Sequence, residues 1–247
     1  MYALILFVFL LLFQPASLAG GVCDNISLSK IMPYMPPDYR IISKKPVKGV
    51  NLCDILIEVN GKIIPIYANS KIAIVGSLFK NGKSLSDKEV NDYLSCQFKK
   101  RFQKYGKSLD SVVACSYYPK GSKKNNFFYL IVDPNSPYAN SIKNEIVQIA
   151  NKLKMGVKLI LVNKYKGSES KISSFICNRK GFKDYLSGNY GNPNSCRKGQ
   201  DYIKRSSELI FGKFNISYTP TFITQSGKKE SGINTRLIKR FLKKNGK

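Results

Sequence analysis

Apolar and polar positions along this chain change their period several times, and each change marks an element. The first is an unbroken apolar run of 11 residues, Ala3 to Phe13, followed by Ser17-Leu18-Ala19. That run falls short of the roughly 20 residues that span a bilayer. Small residues at the −3 and −1 positions make a cleavage site after Ala19, so residues 1–19 are expected to be a signal peptide, with a retained membrane anchor as the alternative. Residues 24–84 then read as a strand-rich unit, in which Pro33, Pro36 and Pro37 break any long helix. Arg40–Ile42, Cys53–Val59, Lys62–Tyr67 and Ile72–Val75 have the length and β-branched content of strands. Ile55, Ile57 and Val59 alternate with positions read as solvent-facing, and Asn60-Gly61 predicts a two-residue hairpin turn.

The period then becomes helical. Ser86 and Glu89 stand three apart as a capping pair would. Val90, Tyr93, Leu94, Gln97, Phe98 and Phe102 predict a helix over 87–105, ended by Gly106. Beyond Ser108, strand-like runs at Ser111–Tyr118, Phe127–Val132, Val157–Val162 and Thr221–Thr224 interleave with helical patterns over 137–154, 169–187, 198–213 and 235–245. Together these predict an α+β chain: the small strand-rich unit at 24–84, a linker helix over 85–106, and a layered α/β domain over 108–247.

Charge and cysteine content sharpen the picture. Lys and Arg number 41 against 15 Asp and Glu, a formal net charge of +26, and only seven of the 41 are Arg. Such a surface attracts anions in general. Readers of phosphates and bases favour the planar fork of Arg, so nucleic acid is not the expected partner. All six cysteines lie beyond Ala19, and an even number in an exported chain points to disulfides. Neither a C-x-x-C nor a single His occurs. That removes the ordinary zinc sites and the Ser-His-Asp and Cys-His nucleophile systems, and no metal or cofactor is expected.

The segment FFYLIVDPNSPYANSIKNEI, Phe127 to Ile146, places Asp133-Pro134 and then Ser136-Pro137-Tyr138-Ala139 between a strand and a helix. The segment ISYTPTFITQSGKKESG, residues 216–232, sets Thr219-Pro220 just before another strand. On these residues the chain resembles the bacterial periplasmic disulfide-bond isomerases of the DsbC/DsbG family. The resemblance implies a dimerisation domain at 24–84, the linker helix, and a thioredoxin-fold domain with a helical insertion between Val162 and Phe214. Ser136 and Ala139 occupy that family's two cysteine positions, Pro137 and Tyr138 its intervening dipeptide, and Thr219-Pro220 its threonine and cis-proline. Cys177 and Cys196 match a structural disulfide of many members.

Where the family holds a thiolate stabilised by a helix N-terminus, this chain holds a hydroxyl and a methyl group. Ser136 has no base to ionise it and reads instead as a helix N-cap. Thiol–disulfide exchange needs a thiolate attacking a disulfide sulfur, so redox catalysis at these positions is not expected. Natural loss and deliberate Cys-to-Ser and Cys-to-Ala replacement both stay open, and transfer of redox work to another pair is the third reading. The expected role is a periplasmic scaffold that binds unfolded or dedicated exported polypeptides as a homodimer, free of the membrane once the signal is cleaved. Tyr138, Thr219 and Pro220 are its candidate binding residues. Tyr117, Tyr118, Tyr185, Tyr190 and Tyr218 could add to that surface or fill the core. A Cys96–Cys115 disulfide, joining the linker helix to the next strand, is expected as well, which leaves Cys23 and Cys53 to pair by elimination.

Overall fold

A computed structural model describes residues 21–246; the expected signal peptide lies outside the described residues. The chain divides into two compact units, one reaching to Tyr93 and the other running from Leu94 onward.

The amino-terminal unit begins with a short helix, α1 (Leu28–Ile31), and then builds a four-stranded antiparallel sheet. Its strands β1 (Arg40–Pro46), β2 (Cys53–Val59), β3 (Lys62–Ala68) and β4 (Ala73–Val75) lie side by side in chain order. Val59 faces Lys62 across the turn, and Asn60 and Gly61 both take positive φ, 49° and 73°. That backbone matches the twist of the strands it joins. The same device recurs at Asn81-Gly82, which the apolar pattern did not single out: φ of 51° and 71° closes a ribbon of β5 (Phe79–Lys80) and β6 (Lys83–Ser84).

In β2 the expected alternation is replaced by burial on both faces. Ile55, Ile57 and Val59 pack with Ile26, Leu28 and Ile66 in one cluster, to which Cys53, bonded to Cys23, also belongs. Asp54 and Leu56 are buried as well, because helix α2 (Leu85–Tyr105) supplies polar groups to the row that contains Asp54. Lys45 and Tyr67 flank Asp54 in the sheet register. Glu89 reaches this row, pairing with Lys45 at 2.5 Å and accepting from Ser43 Oγ at 3.4 Å. Ser86 is therefore not the helix cap: its hydroxyl is buried 2.7 Å from Tyr67 Oη and accepts from the Leu78 amide. Ser84 takes the capping role, accepting from Asp87 N at 3.0 Å.

In the second unit, a 3-10 turn over Gly106–Val112 buries Leu109 and Val112, which shortens the strand expected from Ser111 to β7 (Cys115–Tyr117). Then come β8 (Phe127–Val132), α3 (Ala139–Leu153), β9 (Gly156–Leu161), α4 (Ser168–Cys177), α5 (Phe182–Ser187) and α6 (Arg197–Ser207), which runs into a π-helical turn at Glu208–Lys213. β10 (Thr221–Thr224), β11 (Lys229–Ser231) and α7 (Thr235–Asn245) complete it. The sheet order is β11-β10-β8-β9-β7, with β8 and β9 parallel and the other pairs antiparallel. A parallel β-α-β crossover flanked by an antiparallel hairpin and a closing helix is an α+β, thioredoxin-like arrangement. Every residue of β8 is buried, as the continuous apolar run requires.

The single helix expected over 169–187 is two helices. Arg179 adopts φ 51° and Gly181 starts α5, its amide held by the Asp184 carboxylate at 2.9 Å. Cys177 and Cys196 are bonded across this insertion. Gly199 lets α6 approach α4 there, since a Cβ at that position would stand 2.7 Å from Ser173 Oγ and 2.9 Å from Cys177 Sγ. Tyr202 ties α6 to the sheet: its buried hydroxyl accepts from Leu161 N and donates to Val112 O, each at 2.9 Å.

The expected Cys96–Cys115 bridge is not formed; both thiols are free. Phe98, Phe102 and Tyr105 turn one face of α2 toward Phe214. Cys96 stands two residues before Phe98, roughly 200° around the helix, and is exposed. Cys115 instead lies in β7, and burial, then the Asp184 charge, pushes its thiol up to about 12.

The Asp54–Glu89 pair makes the amino-terminal unit sensitive to pH. Burial, then the hydrogen bond and charge of Glu89, pushes the Asp54 carboxyl up to about 7. Burial raises Glu89 too, but hydrogen bonds from Asp54 and Lys45 outweigh it and hold that carboxyl below its ordinary value. Asp54 Oδ1 and Glu89 Oε2 are both buried without a hydrogen-bond partner, and one proton held between the two carboxyls would satisfy both. A native carboxyl that binds its proton more tightly than the unfolded one loses stability as pH rises from the ordinary carboxylate range toward 7. Glu89 acts in the opposite sense only below that range. Since the chain has no His, little else titrates between. The urea midpoint, followed by circular dichroism, is expected to fall from pH 5 to pH 8 in the wild type and to stay level in Asp54→Asn. Parallel profiles for the two proteins would refute the shared proton.

Candidate functional site

At the carboxyl end of β8, two loops are stitched together by one buried carboxylate. Asp133 is completely buried and accepts four hydrogen bonds. Asn135 N and Ser168 Oγ reach Oδ1, each at 2.6 Å, and the Lys164 and Tyr165 amides reach Oδ2 at 2.5 and 2.9 Å. A buried carboxylate saturated by donors is stable where a bare one is not. Lys164 extends the tie to the third loop, its ammonium donating to the Ser217 carbonyl. The segments 133–139, 163–168 and 217–220 are thereby held together.

Register brings Thr219-Pro220 to the same end of the sheet. Thr221, the next residue, pairs with Ile131, two before Asp133. The Thr219–Pro220 bond is cis, as the family resemblance implies. The Pro220 carbonyl accepts from Gly232 N at 3.0 Å, and Thr221 Oγ1 donates to Tyr218 O at 2.6 Å. Thr219 Oγ1 is buried with no hydrogen-bond partner.

Helix α3 starts at Ala139, later than the sequence pattern places it, and Tyr138 occupies the cap position without a side-chain cap bond. Ser136 is therefore not the N-cap. It closes the preceding turn: its hydroxyl accepts from Tyr138 N at 3.3 Å and its carbonyl from Ala139 N at 2.9 Å. Ser136 and Ala139 are buried, Pro137 and Tyr138 exposed. No thiol stands at either position, and among the described residues no group of three metal-ligating side chains converges anywhere. As arranged, these loops can offer aromatic surface and backbone polar groups. They hold no cysteine.

The tyrosines divide sharply. Tyr138 is 49% and Tyr218 70% exposed, one on each of two stitched loops, and Lys164 lies 5.4 Å from the Tyr218 ring. Tyr185 is wholly buried. Tyr117 is half-buried, stacks on Phe182 at 5.3 Å and bonds Asn151. Sequence reasoning missed Lys164 and the organising role of Asp133, because the partners of that carboxylate lie 31 to 35 residues along the chain. The sole signal was an acid ending an otherwise apolar strand.

A thioredoxin-like α+β domain is thus the class that the fold defines. Among solved structures, the chain is similar to Helicobacter pylori DsbG, at 15% identity and a TM-score of 0.40, with 74% of this chain and 92% of that one covered. It is also similar to a linker-deletion variant of Proteus mirabilis ScsC, at 12% identity and a TM-score of 0.46, covering 64% and 87% of the two chains. No family model and no curated protein matches it.

The Cys177–Cys196 bond brackets the glycine-rich stretch that carries α5. Closing a loop of that length restrains the unfolded chain by about 3 kcal/mol. The double substitution Cys177→Ser, Cys196→Ser is expected to lower unfolding free energy by about that amount, measured by denaturant titration under non-reducing conditions. An unchanged midpoint would show that the insertion is ordered without its bridge.

Proposed function

We propose that this protein is an exported, non-redox scaffold that binds extended polypeptide on the loops around Tyr138 and Tyr218. One observation carries the reading: two exposed tyrosines sit on loops held in place, one by the buried Asp133 carboxylate and the other by Lys164, and neither loop holds a thiol. Rigid aromatic side chains give large contact area at low entropic cost, and nearby backbone groups beside Thr219-Pro220 suit an extended chain. Export rests on the amino-terminal sequence, and paired cysteines fit an oxidising compartment. Among the described residues no helix is long and apolar enough to cross a membrane.

A disulfide isomerase working through other cysteines is the second reading. Its thiols would be Cys96 and Cys115, and a thiol pushed up to about 12 is a poor nucleophile at neutral pH. Suppression of aggregation of a reduced client, followed by light scattering, is the direct test. The wild type should suppress it, and Tyr138→Ala with Tyr218→Ala should weaken that effect. In the same preparation, insulin reduction by dithiothreitol should stay at background and rise in Ser136→Cys, Ala139→Cys. Redox turnover by the wild type, lost on replacing Cys96 or Cys115, would reverse the choice between the readings.

Homodimerisation through the amino-terminal unit belongs to this proposal. Among the described residues the outer edge of β4 is unpaired, and Ile74 and Val75 there are 52% and 53% exposed. An apolar cleft of about 600 Å³ beside it is lined by Met32, Tyr34, Met35, Ile57, Ile64 and Val75. A small unit with an open edge and an apolar face gains by pairing with a second copy. Sedimentation of the chain from residue 21 should give twice the monomer mass, and Ile74→Lys with Val75→Lys should give monomers. A wild-type monomer at micromolar concentration would remove the dimer from the proposal.

A further inference from the structure

One lysine in the second unit is buried without an anion. Lys143 lies on α3, one turn beyond Ala139, and is only 7% exposed. It makes no hydrogen bond or ion pair with any described residue, although a buried ammonium normally takes one. Its Nζ lies 5.2 Å from the ring centre of Tyr185 and 5.7 Å from that of Tyr190. Those rings ease the burial of the charge through their faces. They do not use their own hydroxyls: Tyr185 Oη and Tyr190 Oη are both buried with no hydrogen-bond partner. An ammonium and two hydroxyls, each without a hydrogen-bond partner among the described residues, thus belong to one cluster of side chains.

The surroundings add to the deficit of negative charge. Lys171, from α4, stands 5.6 Å from the Tyr190 ring. Burial and then this second ammonium hold the Lys143 amine below the usual lysine range. Asp133 is the acid that acts on Tyr190, but both its oxygens are committed to four other donors. Access lies at Gly188, the exposed residue that ends α5. A Cβ built there would meet Lys143 Nζ at 3.7 Å and nothing else within 4 Å.

We propose that Lys143, Tyr185 and Tyr190 form a binding site for one compact oxyanion, carried by a carboxylate or a phosphate. Bound there, the anion accepts from the ammonium and from both phenols, completing all three at once. Lys171 adds charge from outside. The site is independent of the polypeptide-binding reading and stands or falls on its own measurement.

Thermal unfolding followed by circular dichroism, at one pH and matched ionic strength, tests it with chloride, phosphate and succinate as sodium salts. Phosphate or succinate should raise the wild-type midpoint above its value in chloride by about 3 °C or more. Lys143→Met should be at least as stable in chloride, because an unpaired buried charge is replaced by an apolar chain of similar length, and should gain nothing from either oxyanion. Tyr190→Phe removes one hydroxyl only and should lose part of the rise. A rise with phosphate alone assigns an inorganic anion, and one with succinate alone assigns a carboxylate. Equal responses in wild type and Lys143→Met, or no rise in the wild type, overturn the site. Should Lys143→Met fail to fold, an undiminished rise in Tyr190→Phe does the same.

Discussion

The geometry of the second unit depends on the buried carboxylate of Asp133. A charge without water is tolerated only where donors replace the lost hydration, and Asp133 has four from three places in the chain. Two are backbone amides of the segment after β9, one is the hydroxyl that opens α4, and one is the amide two residues ahead. Removing the carboxylate would orphan all of them together. This one group therefore sets where the turn before α3 lies, and through Lys164 where Ser217 and the loop before Thr219 lie. The exposed tyrosines are positioned by a residue that never reaches the surface.

Much of the architecture was legible wherever burial alone decides structure. Phe127–Val132, Thr221–Thr224 and Cys53–Val59 occupy the strands their apolar runs mark, and Thr235–Asn245 is the helix its spacing marks. The misreadings share another cause, a local signal overruled by a distant partner. Ser86 looks like a cap from its neighbours, yet Tyr67 and Leu78 claim its hydroxyl. Asp54 looks solvent-facing in an alternating strand, yet Glu89 covers it from α2. Cys96 and Cys115 look like a pair by count, yet helix phase turns Cys96 outward.

The candidate site was legible as a set of positions but not as a geometry. Ser136 to Ala139 and Thr219-Pro220 stand out because turn residues and a proline sit between apolar runs. What the sequence could not show is how Ser136 and Ala139 are accommodated. Ala139 is buried, and the Ser136 hydroxyl is drawn into the turn by Tyr138 N. A serine so placed serves the backbone, and a turn that uses its hydroxyl internally has no reason to present it to a substrate. The side chains these loops expose are aromatic, those of Tyr138 and Tyr218.

The large positive charge takes on meaning only when its members are separated by burial. With 15 acids for 41 bases, most lysines must do without a carboxylate, and on the surface that costs little because water screens them. The less exposed Lys158 is provided for: it lies 3.8 Å from the Phe127 ring centre and pairs with Asp110. Lys143 has rings but no hydrogen-bond partner among the described residues, and the hydroxyls of the two tyrosines around it are equally unsatisfied. A helix position reading Lys is ordinarily taken for solvated surface, which is why the pattern of the sequence passes over it. Burial turns that ordinary residue into an unmet demand for negative charge, one turn beyond the start of α3.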